Sequence, residues 1–399
     1  MANRRASTRY KSKSDESATP RSPQGAIRNQ IWHQFRYHLR YPIVTAVISR
    51  NTAELSALEP DSLNQAFLAH PPEGFKTLTV RGGPAFLADF DLLTTFDGDQ
   101  SRVEKWLGIF QLRRFTILPT LFLGSTVSEY TSCSQEPEKI LADLIETARD
   151  NNCQLVIAKD LPLNSPLLCQ EENQKAERLV EAGSRIGPFI EVAGQALAYV
   201  DIDFPDLDVF LSRMSRIRRK EMRKKLKSKN GLQIEERRTG DASFADPAFL
   251  DELYRLYLNV YEQSRYHFDL LSRDFFESIL NCRENGGIVF MYKKDGELIG
   301  YNICFVYREM LVDKYVGFSY PRCLESNLYF VSWFHNLDYA ISNNLRRYIA
   351  GWTDPGVKAS LGATFTSTRH LVYIRNPLLR AVLSRLKHLF EPDSEWHHQ

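Results

Sequence analysis

The sequence predicts a two-domain α/β fold of α+β character, and three observations predict it. Strand-like and helix-like patterns alternate along the chain, and the order in the first half recurs in the second. In addition, 399 residues with 43% apolar and 12% aromatic content exceed what one hydrophobic core usually organises. The expected division is a basic, disordered tail over residues 1–40, a first domain over 41–205 and a second over 206–390. Each domain is expected to hold a mixed, mainly antiparallel sheet flanked by helices.

In the first half, residues 42–49 and 77–81 have the short β-branched pattern of strands, 99–110 that of a helix, and 115–124 that of a mostly apolar strand. Residues 137–151 predict a helix, because Leu141, Leu144, Ile145 and Ala148 fall on one side at 3.6-residue spacing. A buried strand follows at 154–158. In the second half, 247–263 and 272–281 predict helices, then 288–293, 298–307 and 311–317 predict a meander. Its first turn is fixed by Asp295-Gly296, a pair suited to positive φ. A helix over 326–342, a strand over 347–350 and a terminal helix over 377–390 complete the unit.

Between the halves lies DLDVFLSRMSRIRRKEMRKKLKSK, residues 206–229, read as one basic helix. Leu207, Leu211, Met214, Met222 and Leu226 share one side, and Arg213, Arg216, Arg219, Lys220, Arg223, Lys224 and Lys227 the other. Residues 212–229 carry +9 and residues 1–40 carry +7, which leaves −14 for the rest of a chain whose total is +2. A solvated helix usually mixes acids with bases, so this face predicts an anionic partner, with phosphates the natural choice. An acidic body with two basic segments is not the profile of a general nucleic-acid binder.

The six cysteines are scattered without CxxC pairs or metal-ligand spacing, which implies a reduced, cytoplasmic chain without a metal. No apolar run is long enough for a membrane span, and the N-terminus lacks the apolar core of a signal peptide. His267, His335 and His370 are isolated from one another, and no Ser, His and Asp arrangement or Walker loop stands out.

Several segments resemble a known family. IAGWTDPGVKASLGATFTSTRHLVYIRNPLLRAVL, residues 349–383, is similar to the closing segment of FemAB-like acyltransferases, in which a small-residue strand end leads to a Lys, a Gly and a terminal helix. Residues 253–279 and 293–320 are also similar to that family, and residues 215–225 resemble the SxxxRKxxRR-type helix that enters its second unit. FLGSTVSEYTSC at 122–133 and DLPLNSPL at 160–167 extend a fainter likeness into the first half. The resemblance implies tandem domains of the acetyltransferase superfamily abbreviated GNAT. It also implies transfer of an acyl group from acyl-CoA to an amine, on a small-molecule or peptidoglycan-precursor-like acceptor. An aminoacyl-tRNA donor, with tRNA as partner, and a non-catalytic module that binds a polyanion are the alternatives.

One departure from GNAT enzymes is plain: FSYPRCLESNLYF, residues 318–330, has no glycine where a phosphate loop is expected. Donor phosphates would then meet the helix start at Ser326 and Asn327, or Arg216, Arg218, Arg219, Lys220 and Arg223 of the basic helix. For catalysis the candidates are Asp313, Tyr315 and Lys358. Asp313 and Tyr315 alternate on one strand and are expected to point the same way, with Lys314 opposite; a salt-bridged strand end would look the same. Lys358 matches the family's Lys. Trp352 and Asp354 on the adjoining loop, with Glu129 and Tyr130 in the SEYTS break, are the candidates for substrate binding, although a core plug and a simple turn would read alike.

Overall fold

A single eleven-stranded sheet runs through both halves of the chain in the computed structural model, which describes residues 58–92, 116–133, 136–264 and 267–387. The basic tail, the strand expected at 42–49 and the helix expected at 99–110 lie outside the described residues. The first half comprises α1 (Asp61–Ala69), β1 (Lys76–Val80), β2 (Gly83–Asp91), β3 (Ile117–Leu123), α2 (Pro137–Asp150), β4 (Leu155–Pro162), α3 (Gln170–Ile186) and β5 (Phe189–Asp201). In the second half come α4 (Leu207–Ser212), α5 (Arg216–Leu226), β6 (Gln233–Arg238), α6 (Pro247–Gln263), α7 (Arg273–Asn281), β7 (Gly287–Lys294), β8 (Glu297–Tyr307) and β9 (Met310–Phe318). The chain continues through α8 (Arg322–Glu325), α9 (Leu328–Ser342), β10 (Arg347–Gly351), α10 (Pro355–Ser360), β11 (Thr364–Ile374) and α11 (Pro377–Leu386).

The strand order is β1-β2-β3-β4-β11-β5-β10-β9-β8-β7-β6. Two pairs are parallel, β3 with β4 and β9 with β10, and the connection of each carries a long helix, α2 and α9 respectively. This is the crossover that parallel pairing requires. The other pairs are antiparallel. The architecture is therefore mixed α/β with a mostly antiparallel sheet flanked by helices, as the alternation implied. β11 is far from its neighbours in sequence: it leaves the second half and inserts between β4 and β5 of the first.

Strand alternation divides the core between the two faces. In β7, Val289 and Met291 pack with α6 and α7, whereas Ile288, Phe290 and Tyr292 pack with α9. In β4, Val156 and Ala158 face α2 and α3, and Ile157 joins the cluster on the other side. α2 forms where expected, with Pro137 in its first turn and Ile140, Leu141, Leu144 and Ala148 buried.

The basic stretch expected as one helix is two. Ser215 is extended at ψ 153° and its side chain accepts from the Arg218 amide, so it starts a second helix rather than continuing the first. Asp206 caps the first in the same manner through the Val209 amide. Met222 and Leu211 are buried as the pattern implied. All six cysteines are unpaired, and among the described residues no helix is long and apolar enough to cross a membrane.

Candidate active site

β9 and β10 pair from Met310–Arg347 to Val312–Ile349, and no rung joins them beyond Val312. Where they part, a cavity of about 590 Å³ opens, bounded by Tyr257, Val260 and Tyr261 of α6 and by Tyr329, Ser332 and Trp333 of α9. It extends across β4, β11 and β5 of the first half. Two clusters of charged groups line it.

The first cluster surrounds Asp313. Its carboxylate accepts from Asn302 Nδ2 (2.5 Å), Tyr348 Oη (2.8 Å) and Asn336 Nδ2 (3.1 Å), and Asn336 also donates to the Tyr348 hydroxyl at 3.2 Å. Burial pushes the Asp313 carboxyl above the usual range, against those three donors and the nearby Lys358 ammonium. Lys358 is itself buried, on α10. Gly351, at φ +79°, turns the chain at the end of β10; a Cβ there would lie 3.8 Å from Lys358 Nζ and 3.9 Å from the Asp313 carbonyl oxygen. This glycine therefore sits between the lysine and the strand.

The second cluster centres on Lys314, whose ammonium donates to Glu129 Oε1 at 2.7 Å and to Glu59 Oε1 at 3.5 Å. Burial opposes its charge, but the two carboxylates outweigh that and raise its pKa. The Glu129 amide also donates to Glu59 Oε1 at 2.6 Å, while Glu129 Oε2 is buried with no hydrogen-bond partner among the described residues. Nearby, Lys159 pairs with Asp160 and donates to the Ser125 carbonyl at 2.8 Å. His370 Nδ1 accepts from the Asp160 amide at 3.0 Å, so that nitrogen carries no proton, and burial lowers the ring's pKa. Asp269, in the loop after α6, is pushed up to about 6 by burial; Thr126, Lys159 and Lys314 offset only part of this.

The alternation expected for Asp313 and Tyr315 does not hold. A β-bulge interrupts the β8–β9 register between Ile303–Tyr315 and Cys304–Asp313. The extra residue rotates the strand, so that Asp313 meets Asn336 of α9 while Tyr315 packs edge-on against Phe275 and Phe276 of α7 on the other face. Asp313, Tyr315, Lys358, Glu129 and Trp352 all line the cavity. Tyr130 lies behind it, bonded to Ser165 at 2.8 Å and edge-on to Trp352. Asp354 is exposed at the start of α10 and does not line the cavity.

Ser326 and Asn327 are likewise not among its lining residues; they bond Lys294 at 3.4 Å and Ser228 at 3.0 Å. Arg216, Arg218, Lys220 and Arg223 are exposed on α5, where Arg223 pairs with Asp208 and Arg219 donates to the Ser212 carbonyl. Arg218 borders a separate cavity of about 360 Å³ with Arg213 and Phe204. Sequence reasoning missed Asp269, Lys159, Asp160 and Tyr348, and it set His370 aside as isolated. Their positions depend on the strand register, which no local pattern carries.

A family model described as peptidoglycan biosynthesis/recognition, FemAB-like, matches residues 156–391, more than half of the chain. The chain belongs to the FemAB-like family. In this FemAB-like chain the match spans the crossing of β11 into the first half and the whole Asp313 cluster. Solved structures similar to it include the C-terminal domain of a putative lysylphosphatidylglycerol synthetase from Agrobacterium fabrum, at 12% identity and TM-score 0.46 over 80% of this chain and 88% of that one. L-PGS from Bacillus licheniformis is 11% identical at TM-score 0.46, covering 84% and 99% of the two chains. FemX is 12% identical at TM-score 0.45, covering 81% and 98%. No curated protein matches the chain.

Proposed function

We infer that the chain is a cytoplasmic N-acyltransferase that moves an acyl group from acyl-CoA to an amine. Attack of an amine on a thioester needs two reactants oriented, a developing oxyanion stabilised and a proton accepted. The observation that carries this reading is the meeting of buried Asp313 and Lys358 in a cavity formed where two parallel strands part. In it, Lys358 faces the negative charge that develops on the carbonyl oxygen. Asp313, held by Tyr348, Asn302 and Asn336, accepts the proton that the attacking amine gives up, and that proton leaves on the CoA sulfur as the thioester C–S bond breaks and the amide forms.

A path for donor phosphates supports the same reading. Lys225 of α5 lies 3.5 Å over the Phe330 ring, Phe330 packs against Tyr329 at 5.9 Å, and Tyr329 lines the cavity. The cationic helix is thus packed beside one rim of the cavity through Lys225, and donor phosphates held by that helix would leave the thioester arm to enter past Tyr329. Peptidoglycan-precursor-like amines are one class of acceptor, in keeping with the family description. A second reading, an aminoacyl-tRNA donor, is favoured by the exposure of Arg216, Arg218, Lys220 and Lys224, which make no ion pair among the described residues.

Thermal unfolding with CoA, acetyl-CoA, a long-chain acyl-CoA and bulk tRNA at two salt concentrations tests both. An acyl-CoA at a hundredfold excess over its Kd is expected to add about 2.7 kcal/mol of stability. Arg218→Ala with Arg219→Ala should weaken that effect most at low salt. A shift with tRNA alone that fades in salt would replace the acyl-CoA reading with the second, and no shift with either would remove the transferase reading.

A further inference from the structure

We propose that the first-half arm of the cavity seats an acceptor whose amine is carried on a hydrocarbon chain, with the ammonium between Glu129 and Asp269 and the tail along β4, β11 and β5. This deepens the transferase reading and rests on it for the role of the bound amine, although not for the binding itself.

The head group follows from charge and hydrogen-bond bookkeeping. Along this arm the lining carboxylates Glu129, Asp160 and Asp269 outnumber the ammoniums Lys159 and Lys314, with Glu59 buried behind Lys314 and Lys387 lining the cavity just past α11, while His370 is held neutral by the Asp160 amide. Glu129 is 2% exposed and lines the cavity, and its Oε2 has no hydrogen-bond partner among the described residues. A buried carboxylate oxygen left without a donor is costly, so the site is incomplete without a cation or a donor from a ligand. Glu129 and Asp269 line the same cavity, as does Lys314, which bonds Glu129 and whose charge acts on Asp269.

The tail follows from strand register. Lys159, Ile157 and Leu155 alternate along β4 and all line the cavity, as do His370, Val372 and Ile374 along β11. Val372 pairs with Ile157 and with Ile190 of β5, and Ile374 pairs with Leu155. Polar Lys159 and His370 therefore form one end of a floor whose next two rows are entirely aliphatic. Four residues of strand give that floor a length of about 13 Å. A charged head at one end of an apolar floor fits an alkylamine and disfavours an alkyl carboxylate, which would face the acid excess.

The experiment is calorimetric titration of the full chain with butyl-, hexyl- and octylammonium, with octanoate and a muropeptide amine as comparisons. Affinity should rise with each added methylene, by up to about fourfold where it is fully buried. Val372→Trp, which fills the floor, should flatten that dependence. Glu129→Gln should weaken every ammonium by tenfold or more and keep the slope; because it also touches Lys314, circular dichroism establishes that the variant is folded, and Asp269→Asn serves if it is not. Affinity independent of chain length, octanoate bound as tightly as octylammonium, or a muropeptide amine bound more tightly than either would overturn the assignment. Chain-length-dependent binding without acyl transfer from acyl-CoA or aminoacyl-tRNA would instead remove the transferase reading and leave this site standing.

Discussion

Lys314→Met tests whether the second cluster is as dry as its burial implies. The lysine side chain is 7% exposed, and its partners Glu59 and Glu129 are 0% and 2% exposed. Removing the cation leaves two carboxylates in the interior with no countercharge from that side, a change that costs about 3–5 kcal/mol when a buried pair is broken. At roughly 2.1 cal/mol/K per residue, a folded unit of this size has an unfolding entropy near 0.7 kcal/mol/K, so Tm should fall by about 4–7 °C. Thermal and urea unfolding would read this, with Glu129→Gln added to the variant expected to recover part of the loss. A deficit below about 1 kcal/mol would refute the reasoning, because it would mean that both carboxylates are solvated.

Two further outcomes are expected. Asp269→Asn should raise stability at pH 7.5: the carboxyl at about 6 against an ordinary 3.8 favours the protonated folded state, so stability falls as pH rises from about 4 to 6, and the amide abolishes that fall. The gain is bounded at about 3 kcal/mol, or about 4 °C in Tm, and calorimetry across pH 4–8 would read it. It should come with weaker alkylammonium binding, as is common where a site is held in a costly state. Gly317→Ala would set a Cβ 2.2 Å from Tyr301 Cε1 and 2.9 Å from Leu256 Cβ, so α6 and β9 must separate; urea unfolding should show a loss of about 1–3 kcal/mol.

The sequence pattern carried the local structure well where a strong period met a clear stop. The β7–β8–β9 meander was legible because Asp295-Gly296 supplies two positive φ values between alternating apolar runs. β5 was not, since Ala193, Gly194, Ala196 and Ala198 give it no recognisable strand pattern even though Ala196 and Ala198 are fully buried. β6 hid as QIEERR at the sheet edge, and β11 opens with polar TFTSTRH. The site was legible only in pieces. Asp313, Tyr315, Lys358, Glu129 and Trp352 do reach one cavity, but the bulge that reverses Tyr315 relative to Asp313 leaves no trace in composition. Strand alternation alone puts Lys314 on the side away from Asp313, with nothing to mark it as the centre of a buried cluster. Its partners Glu59 and Glu129 are 255 and 185 positions away, beyond any spacing argument.

The insertion of β11 has a consequence for how the chain comes to be folded. β4 and β5 do not bond each other; each is zipped to Thr364–Ile374, which lies far downstream of both. As the chain emerges from the ribosome, the first half must wait with an open seam, two strand edges whose partner among the described residues lies roughly 165 to 220 positions downstream. Closing that seam joins the two halves and, in the same event, lays down Val372 and Ile374 as the floor of the cavity. The binding site is thereby completed only once β11 is in place, and a chain cut short before Thr364 would be left with both a sticky edge and no floor to the site.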